Sequence, residues 1–584
     1  MKIIENIKNQ KEKLPNFNEK IIQILTFIVY ILSMIIFEIL YCNASNVSNI
    51  IRLNFSDINY NFSLCRLVSY IAVILILSFI RKFFINDAME TFEKNKYKKI
   101  FNYMYLFIAT IIEIVAIVVV FKNPSLSRGI SIGMIAVLMG EIFILYVSNN
   151  VSKNVVITAL TLGMIFSIST KFNHEIDEKK HFMTAFNISF GNFDYIKNPI
   201  TDKKIEELPQ VSELSKIDYF LEKKYEPEIT HDVNKQDVPS TPAEYNFVAY
   251  LFPALGITLA RCVGGSIVDL YIMGRIFNLI LYTILIYIAT KLIPYKKNIF
   301  AVVFLIPMAL VLAATYSIDG YCIGTVAVLI AYCLKLKEEK ETINLKEFVL
   351  LVGLFLLMLV GKSMAYILVG TIFLMLPIKE TLKKNKKYIP IMIVLTMVLG
   401  FALIFGIMSV KKEHIKEDSR AGDNISVSGQ INSIMHNPIL DIKVGINHIN
   451  NTFLTFKWYN MLHDSKFFTK NNQAVLIPLL VFILYVSLTE TDKLFNIKDK
   501  IIMLLSFIFV YGMTSLVLYL SFSPVGSLSI GGYQTRYILP ILPLGLFCMS
   551  SKNITLKNIK NRNFNIAIIS EIFIMLGVMQ SILV

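Results

Sequence analysis

Apolar runs of about 20 residues recur along the whole chain, and only two long polar stretches, Lys171 to Tyr245 and Lys411 to Gln473, interrupt them. At 1.5 Å per residue a helix of that length matches roughly 30 Å of hydrocarbon. Ile21 to Tyr41, Ile299 to Ser317 and Ile389 to Val410 are examples. With 55% hydrophobic and 17% charged residues over 584 positions, the chain has more apolar surface than a water-soluble core can hide. Lone strands cannot satisfy their backbone polar groups in lipid, so the runs read as helices. The expected fold is an all-α membrane protein, a multipass helical bundle.

About 15 spans are expected, near 21–41, 67–85, 102–121, 129–148, 155–170, 267–290, 299–317, 320–336, 348–361, 363–378, 389–410, 475–490, 501–523, 537–550 and 564–584. With the N-terminus inside, the inner segments carry 31 Lys and Arg, whereas the short outer turns carry six: Arg52, Arg66, Lys122, Arg128, Lys362 and Arg536. That asymmetry is the positive-inside pattern, so the net charge of +15 reflects membrane orientation and does not call for nucleic acid. Both long polar stretches then face outward. Phe247 to Gly264 is apolar enough to span, but a span there would put Lys291, Lys296 and Lys297 outside. It reads as a helix in the outer interface, with a sixteenth span as the alternative.

Residues 1–154 read as accessory transmembrane helices, 155–550 as the core with outer loops 171–265 and 411–474, and 551–584 as a C-terminal transmembrane helix. Glu38, Glu113 and Glu141 lie inside apolar runs of the first module, where interhelix contacts are the expected use and an ion path the alternative. No cleavable signal is expected, because Ile21 to Tyr41 is too long and lacks a small-residue cleavage site. Cys42 and Cys65 share an outer loop and are positioned for a disulfide, whereas the other four cysteines sit at membrane depth without metal spacing. Abundant Lys, Ile and Asn point to an AT-rich bacterial source, hence a bacterial plasma membrane.

The candidate chemistry lies at outer helix ends. The fifth span empties into His174-Glu175-Ile176-Asp177-Glu178-Lys179-Lys180-His181-Phe182. Carboxylates this close to the interface suit a general base for an acceptor hydroxyl, or a divalent cation, the one cofactor class left open. A solvated charge run is the alternative. Ser317-Ile318-Asp319-Gly320, Gly361-Lys362-Ser363 and Gly531-Gly532-Tyr533-Gln534-Thr535-Arg536-Tyr537 mark three further outer turns. Lys362 and Arg536 are exceptions to the inner bias and need a partner: a lipid-linked phosphate, or local carboxylates. Arg275 and Asp269, near the top of one span, read as a structural pair.

The series Asp177-Glu178-Lys179-Lys180-His181-Phe182, Pro242-Ala243-Glu244-Tyr245, Leu251-Phe252-Pro253-Ala254-Leu255-Gly256, Gly274-Arg275-Ile276-Phe277-Asn278, Ile306-Pro307-Met308, Lys362 with Tyr366, and Tyr533 to Tyr537 with Pro540 resembles a family of bacterial multipass membrane proteins. That family is similar to GT-C glycosyltransferases, which include protein O-mannosyltransferases and aminoarabinose transferases. The resemblance implies a GT-C-like core with two large outer loops, moving a sugar from a polyprenyl-phosphate donor to a cell-envelope acceptor at the outer face. It implies a catalytic acid at the Asp177-Glu178 pair, as base or cation ligand. Transfer from a glycosyl phosphate also needs the leaving phosphate stabilised, for which Lys362 and Arg536 are the candidates, and His181, Asp319, Gln534 and Tyr537 are assigned with them to substrate binding, with no resident metal assigned. Lys179-Lys180 replaces the small or proline residues usual there, and Ser240-Thr241-Pro242 lacks the paired prolines, so an altered acceptor pocket or loss of activity is the expectation.

In the second outer stretch, His436, His448, Trp458, Tyr459 and His463 stand among apolar residues, which suggests interfacial helices with an aromatic belt. A glycan polymerase with the same donor chemistry is the near rival. A transporter or flippase is the non-enzyme rival, although no inverted repeat is visible and the polar features cluster at one face.

Overall fold

Proline and the residue before it decide where several apolar runs stop being straight helices. The run 299–317 is divided at Pro307, which lacks an N–H and forces Ile306 to φ −54° and ψ 138°. Two short helices result, Lys297–Phe304 and Pro307–Ala314, bent by 58°. The Tyr282 hydroxyl donates to the Phe304 carbonyl at the break, at 2.6 Å. In the same way Pro540 and Pro543 divide the expected span 537–550 into a 3-10 turn, Thr535–Ile538, and a six-residue helix, Leu542–Phe547.

The structure, a computed structural model, describes residues 147–170, 172, 177–202, 225–227, 229–231, 242–384, 386, 390, 424–454, 473–490, 492–549 and 562–583. The first four expected spans lie almost wholly outside these residues, as do the run 389–410, Cys42, Cys65, Glu38, Glu113, Glu141, His174, Trp458, Tyr459 and His463.

The chain enters at α1 (Val151–Ser169) and α2 (Glu178–Ser189), followed by a two-stranded antiparallel ribbon of β1 (Ile200–Asp202) and β2 (Ile229–His231). Thr201 pairs with Thr230 in that ribbon, the one departure from an all-α fold among the described residues. Then come α3 (Leu251–Cys262), α4 (Ile267–Leu292), α5 (Lys297–Phe304), α6 (Pro307–Ala314), α7 (Ile318–Glu339) and α8 (Leu345–Val360). A short α9 (Ser363–Tyr366) runs into a 3-10 segment over Ile367–Met375, and α10 (Ile378–Lys384) follows. The second half holds α11 (Val427–His436), α12 (Pro438–Ile449), α13 (Gln473–Thr489), α14 (Ile497–Phe522), α15 (Leu542–Phe547) and α16 (Arg562–Leu583).

Among the described residues four helices are long and apolar enough to cross a membrane, within α1, α4, α7 and α14, or five if the bent α5–α6 pair counts as one. They coincide with the expected spans 155–170, 267–290, 320–336 and 501–523. α8 and α13, at 16 and 17 residues, are a little shorter. Polar side chains set the starts: Ser266 and Asp269 form a capping box on α4, Asn344 and Glu347 another on α8, and Asn496 caps α14. α6 and most of α7 are buried on every side, which explains why they are apolar all round instead of amphipathic.

α3 forms a close antiparallel hairpin with the start of α4. The chain reverses at Gly264, whose φ of 77° favours glycine. A Cβ on Gly256 would stand 2.5 Å from the Met273 carbonyl oxygen. Twelve residues give about 18 Å of helix, short of a bilayer core. Phe247, Leu251, Leu255, Leu259 and Val263, four apart, present an exposed apolar stripe. Ile439, Ile442, Ile446 and Ile449 present another on α12, of the kind that contacts lipid.

The two ends of the bundle differ in kind. At one end, where α7 finishes, Lys493 pairs with Glu338 at 2.8 Å, Lys337 pairs with Asp499, and Arg562 donates to Thr489 at 3.0 Å. There Glu490 accepts from the backbone N–H groups of Asn298 and Ile299, at 3.1 and 3.0 Å, and so caps α5. The other end, where α7 begins, holds the candidate site.

Candidate functional site

α7 starts at an extended Ser317, whose side chain accepts from the Asp319 N–H at 3.2 Å. Asp319 therefore lies in the first turn, where the helix dipole favours a negative charge. The carboxylate meets two cations from distant parts of the chain. Lys362, from the turn after α8, pairs with Asp319 Oδ1, and Arg536 Nε stands 3.2 Å from Oδ2. Lys362 Nζ also lies 4.6 Å from the centre of the Tyr537 ring. Burial opposes the Lys362 charge, but the Asp319 carboxylate beside it holds the ammonium above its ordinary range. Tyr366 donates to the Tyr537 carbonyl at 3.3 Å and ties the turn after α8 to the 3-10 turn that bears Arg536.

α2 contributes the second group. Asp177, its N-terminal flanking residue, has φ 62° and ψ 12°. Asp tolerates this left-handed backbone better than most side chains, and such strain concentrates at functional sites. One turn on, the His181 N–H bonds the Asp177 carbonyl at 3.1 Å. Nδ1 of His181 shares a 2.7 Å hydrogen bond with the Tyr250 hydroxyl, and its ring stacks on Tyr245 and Tyr250, each with centroids 5.8 Å away. Burial, helped by the Lys362 charge, pushes His181 down to about 4, against the upward pull of Asp319 and Asp177. The imidazole is therefore neutral at pH 7. Burial also raises the Tyr245 and Tyr250 phenols, so both stay protonated.

Glu178 points elsewhere. Its Oε1 accepts from Arg275 Nε at 2.8 Å and from the Tyr316 N–H at 3.1 Å, and Arg275 Nη2 lies 2.8 Å away. Both side chains are wholly excluded from solvent. Arg275 Nη1 donates to the carbonyls of Ser167 and Thr170, at 3.2 and 2.6 Å, which closes the end of α1. One ion pair thus fixes α1, α2, α4 and the entry to α7 together. Asp269 is engaged with Ser266 in the α4 capping box, at 2.8 Å, so the acid that meets Arg275 comes from α2.

Asp319, Lys362, Arg536, Tyr537 and His181 are brought together as a cluster, and Asp177 enters the electrostatics of His181. Gln534 lies two residues before Arg536, with a buried Oε1 that has no hydrogen-bond partner among the described residues. Tyr537 continues through Tyr533 (centroids 5.9 Å) to His448 (4.5 Å), which stacks on Tyr511 at 5.4 Å. His448 Nε2 shares a 3.0 Å hydrogen bond with Ser515, joining the second outer stretch to α14. The sequence singles out Tyr245 and His448 without these partners, and Tyr250 has no signal in one sequence, since it is a common residue outside any spaced pattern. No group of three or more His, Cys, Asp or Glu close enough to hold a metal occurs among the described residues.

A profile for a family described as predicted membrane protein (DUF2142) matches residues 160–545. The chain belongs to that family. The matched stretch covers about two-thirds of the chain and encloses Asp177, Glu178, His181, Asp319, Lys362, Gln534, Arg536 and Tyr537. The protein is therefore a membrane protein, as its composition and its apolar helices require. No curated protein and no solved structure matches it.

Proposed function

We propose that the protein is a membrane glycosyltransferase that moves a sugar from a polyprenyl-phosphate donor to a cell-envelope acceptor at the outer membrane face. The observation that carries this reading is the convergence of two buried cations, Lys362 and Arg536, on one spot at the helix end that the basic-residue pattern assigns to the outside. Beside it stand a partly exposed acid on a strained backbone, Asp177, and a neutral histidine. The GT-C resemblance of the motif series supports the same chemistry.

In this reading the acceptor oxygen attacks the anomeric carbon and its proton passes to Asp177. The bond between that carbon and the phosphate oxygen breaks, and the electron pair leaves on the lipid phosphate. Lys362 and Arg536 stabilise the charge that grows there. Glu178, through Arg275, acts as a positioning residue for the start of α2. The lipid tail lies along the bundle, which suits a site at the bilayer edge.

The test is transfer from a radiolabelled polyprenyl-phosphate hexose in membranes, with expression and insertion checked. A positioned base contributes roughly 10²–10⁴-fold, so Asp177→Asn is expected to lose transfer by that factor. Lys362→Met is expected to weaken donor binding. Near-normal transfer by Asp177→Asn overturns the role of Asp177, and absence of transfer by the wild type from a panel of sugar donors overturns the enzyme reading in favour of a transporter.

A further inference from the structure

Asp319 is a residue that a simple anion site would omit. Its two oxygens face the two cations of the proposed phosphate site, Lys362 on Oδ1 and Arg536 at 3.2 Å from Oδ2, and none of the three side chains is more than 14% exposed. Any phosphate held by these cations lies close to the same carboxylate. At about 6 Å and an effective dielectric constant of about 20, the repulsion amounts to roughly a hundredfold in affinity for each phosphate charge at that distance. A phosphodiester meets it once. A diphosphate meets it twice, more weakly the second time.

We propose that Asp319 sets the charge selectivity of the site, lowering its net charge to match a lipid phosphodiester and removing most of the advantage that a diphosphate-linked lipid would have over two unopposed cations. This rests on the reading of the cluster as a donor-phosphate site. The carboxylate offsets one of the two cations, and its place in the first turn of α7 sets it at the positive end of the helix dipole.

The experiment compares two probes that carry no sugar, a diprenyl phosphate with one charge and a P1,P2-diprenyl diphosphate with two, binding to the full-length protein in detergent. The wild type is expected to separate the two probes little, because the carboxylate offsets one of the two cations. Asp319→Asn should tighten both and shift the preference toward the diphosphate by about tenfold or more, while Asp319→Glu keeps the wild-type order. If Asp319→Asn does not fold, the double variant Asp319→Asn with Lys362→Met restores one cation without an acid and should keep the wild-type preference.

An Asp319→Asn protein that folds and separates the two probes no more than the wild type does overturns the inference. So does an Asp319→Asn protein that folds but loses both probes, or a double variant that departs from the wild-type preference. A wild type that binds neither probe refutes the phosphate-site reading itself, which separates that failure from a failure of charge selection.

Discussion

Replacing Glu178 with glutamine tests whether this acid holds the fold together, apart from the role proposed for its neighbour Asp177. Glu178→Gln keeps the size of the side chain and one oxygen able to accept hydrogen bonds, so packing against α4 is unchanged. What it removes is the negative charge that Arg275 meets through Nε and Nη2, both at 2.8 Å, in a site where neither side chain touches solvent. Removing one partner of a buried pair costs about 3–5 kcal/mol, because the remaining charge keeps its desolvation penalty. At roughly 2–4 °C per kcal/mol for a domain of a few hundred residues, the melting temperature should fall by on the order of 10 °C. The assay is thermal unfolding of the detergent-solubilised protein followed by fluorescence-detected size exclusion. Asp177→Asn, at a partly exposed position, should melt close to the wild type. Glu178→Gln combined with Arg275→Met should recover much of the loss, since replacing both charges by neutral groups is often tolerated. A Glu178→Gln protein that melts with the wild type would refute the structural argument, and loss of transfer in that protein would make Glu178 part of the chemistry.

Three further outcomes are expected. His181 is held near 4 by burial against an ordinary 6.5, so the unfolded chain binds more protons in that window and stability present above pH 6.5 is lost as pH falls toward 4. The loss amounts to about 3 kcal/mol at most, and His181→Gln should flatten the melting temperature across that range; an unchanged slope would show that His181 is not the group responsible. Gly256→Ala should destabilise the α3–α4 hairpin by about 1–3 kcal/mol, because the new methyl group meets a backbone oxygen of Met273 at 2.5 Å and backbone cannot swing aside; limited proteolysis near residue 264 reads this directly. For topology, a cysteine at Asn192 should react with an impermeant thiol reagent in intact cells and one at Asn385 should not, in a background lacking Cys42, Cys65 and the exposed Cys262; reaction at both contradicts the assigned orientation.

Hydropathy and charge along the chain were enough to establish a membrane protein and to single out helix ends as candidate sites. Length and hydropathy of the runs locate α1, α4, α7 and α14 to within a few residues, because lipid demands a continuous helix of one length and one composition. The bias of Lys and Arg gave reason to single out Lys362 and Arg536, which the fold brings to one carboxylate. Proline broke two expected spans, 299–317 and 537–550, and hydropathy could not register this because proline counts little in an average over 20 residues. Which side chains pair with which followed from helix packing alone. Arg275 lies six residues from Asp269 and 97 from Glu178, yet its ion pair is with Glu178. Asp177 and Glu178 are adjacent in sequence, but the left-handed backbone at Asp177 starts α2 so that one acid stays partly exposed and the other is enclosed. Such distinctions depend on which helices pack side by side, and no pattern within a single stretch of chain encodes that.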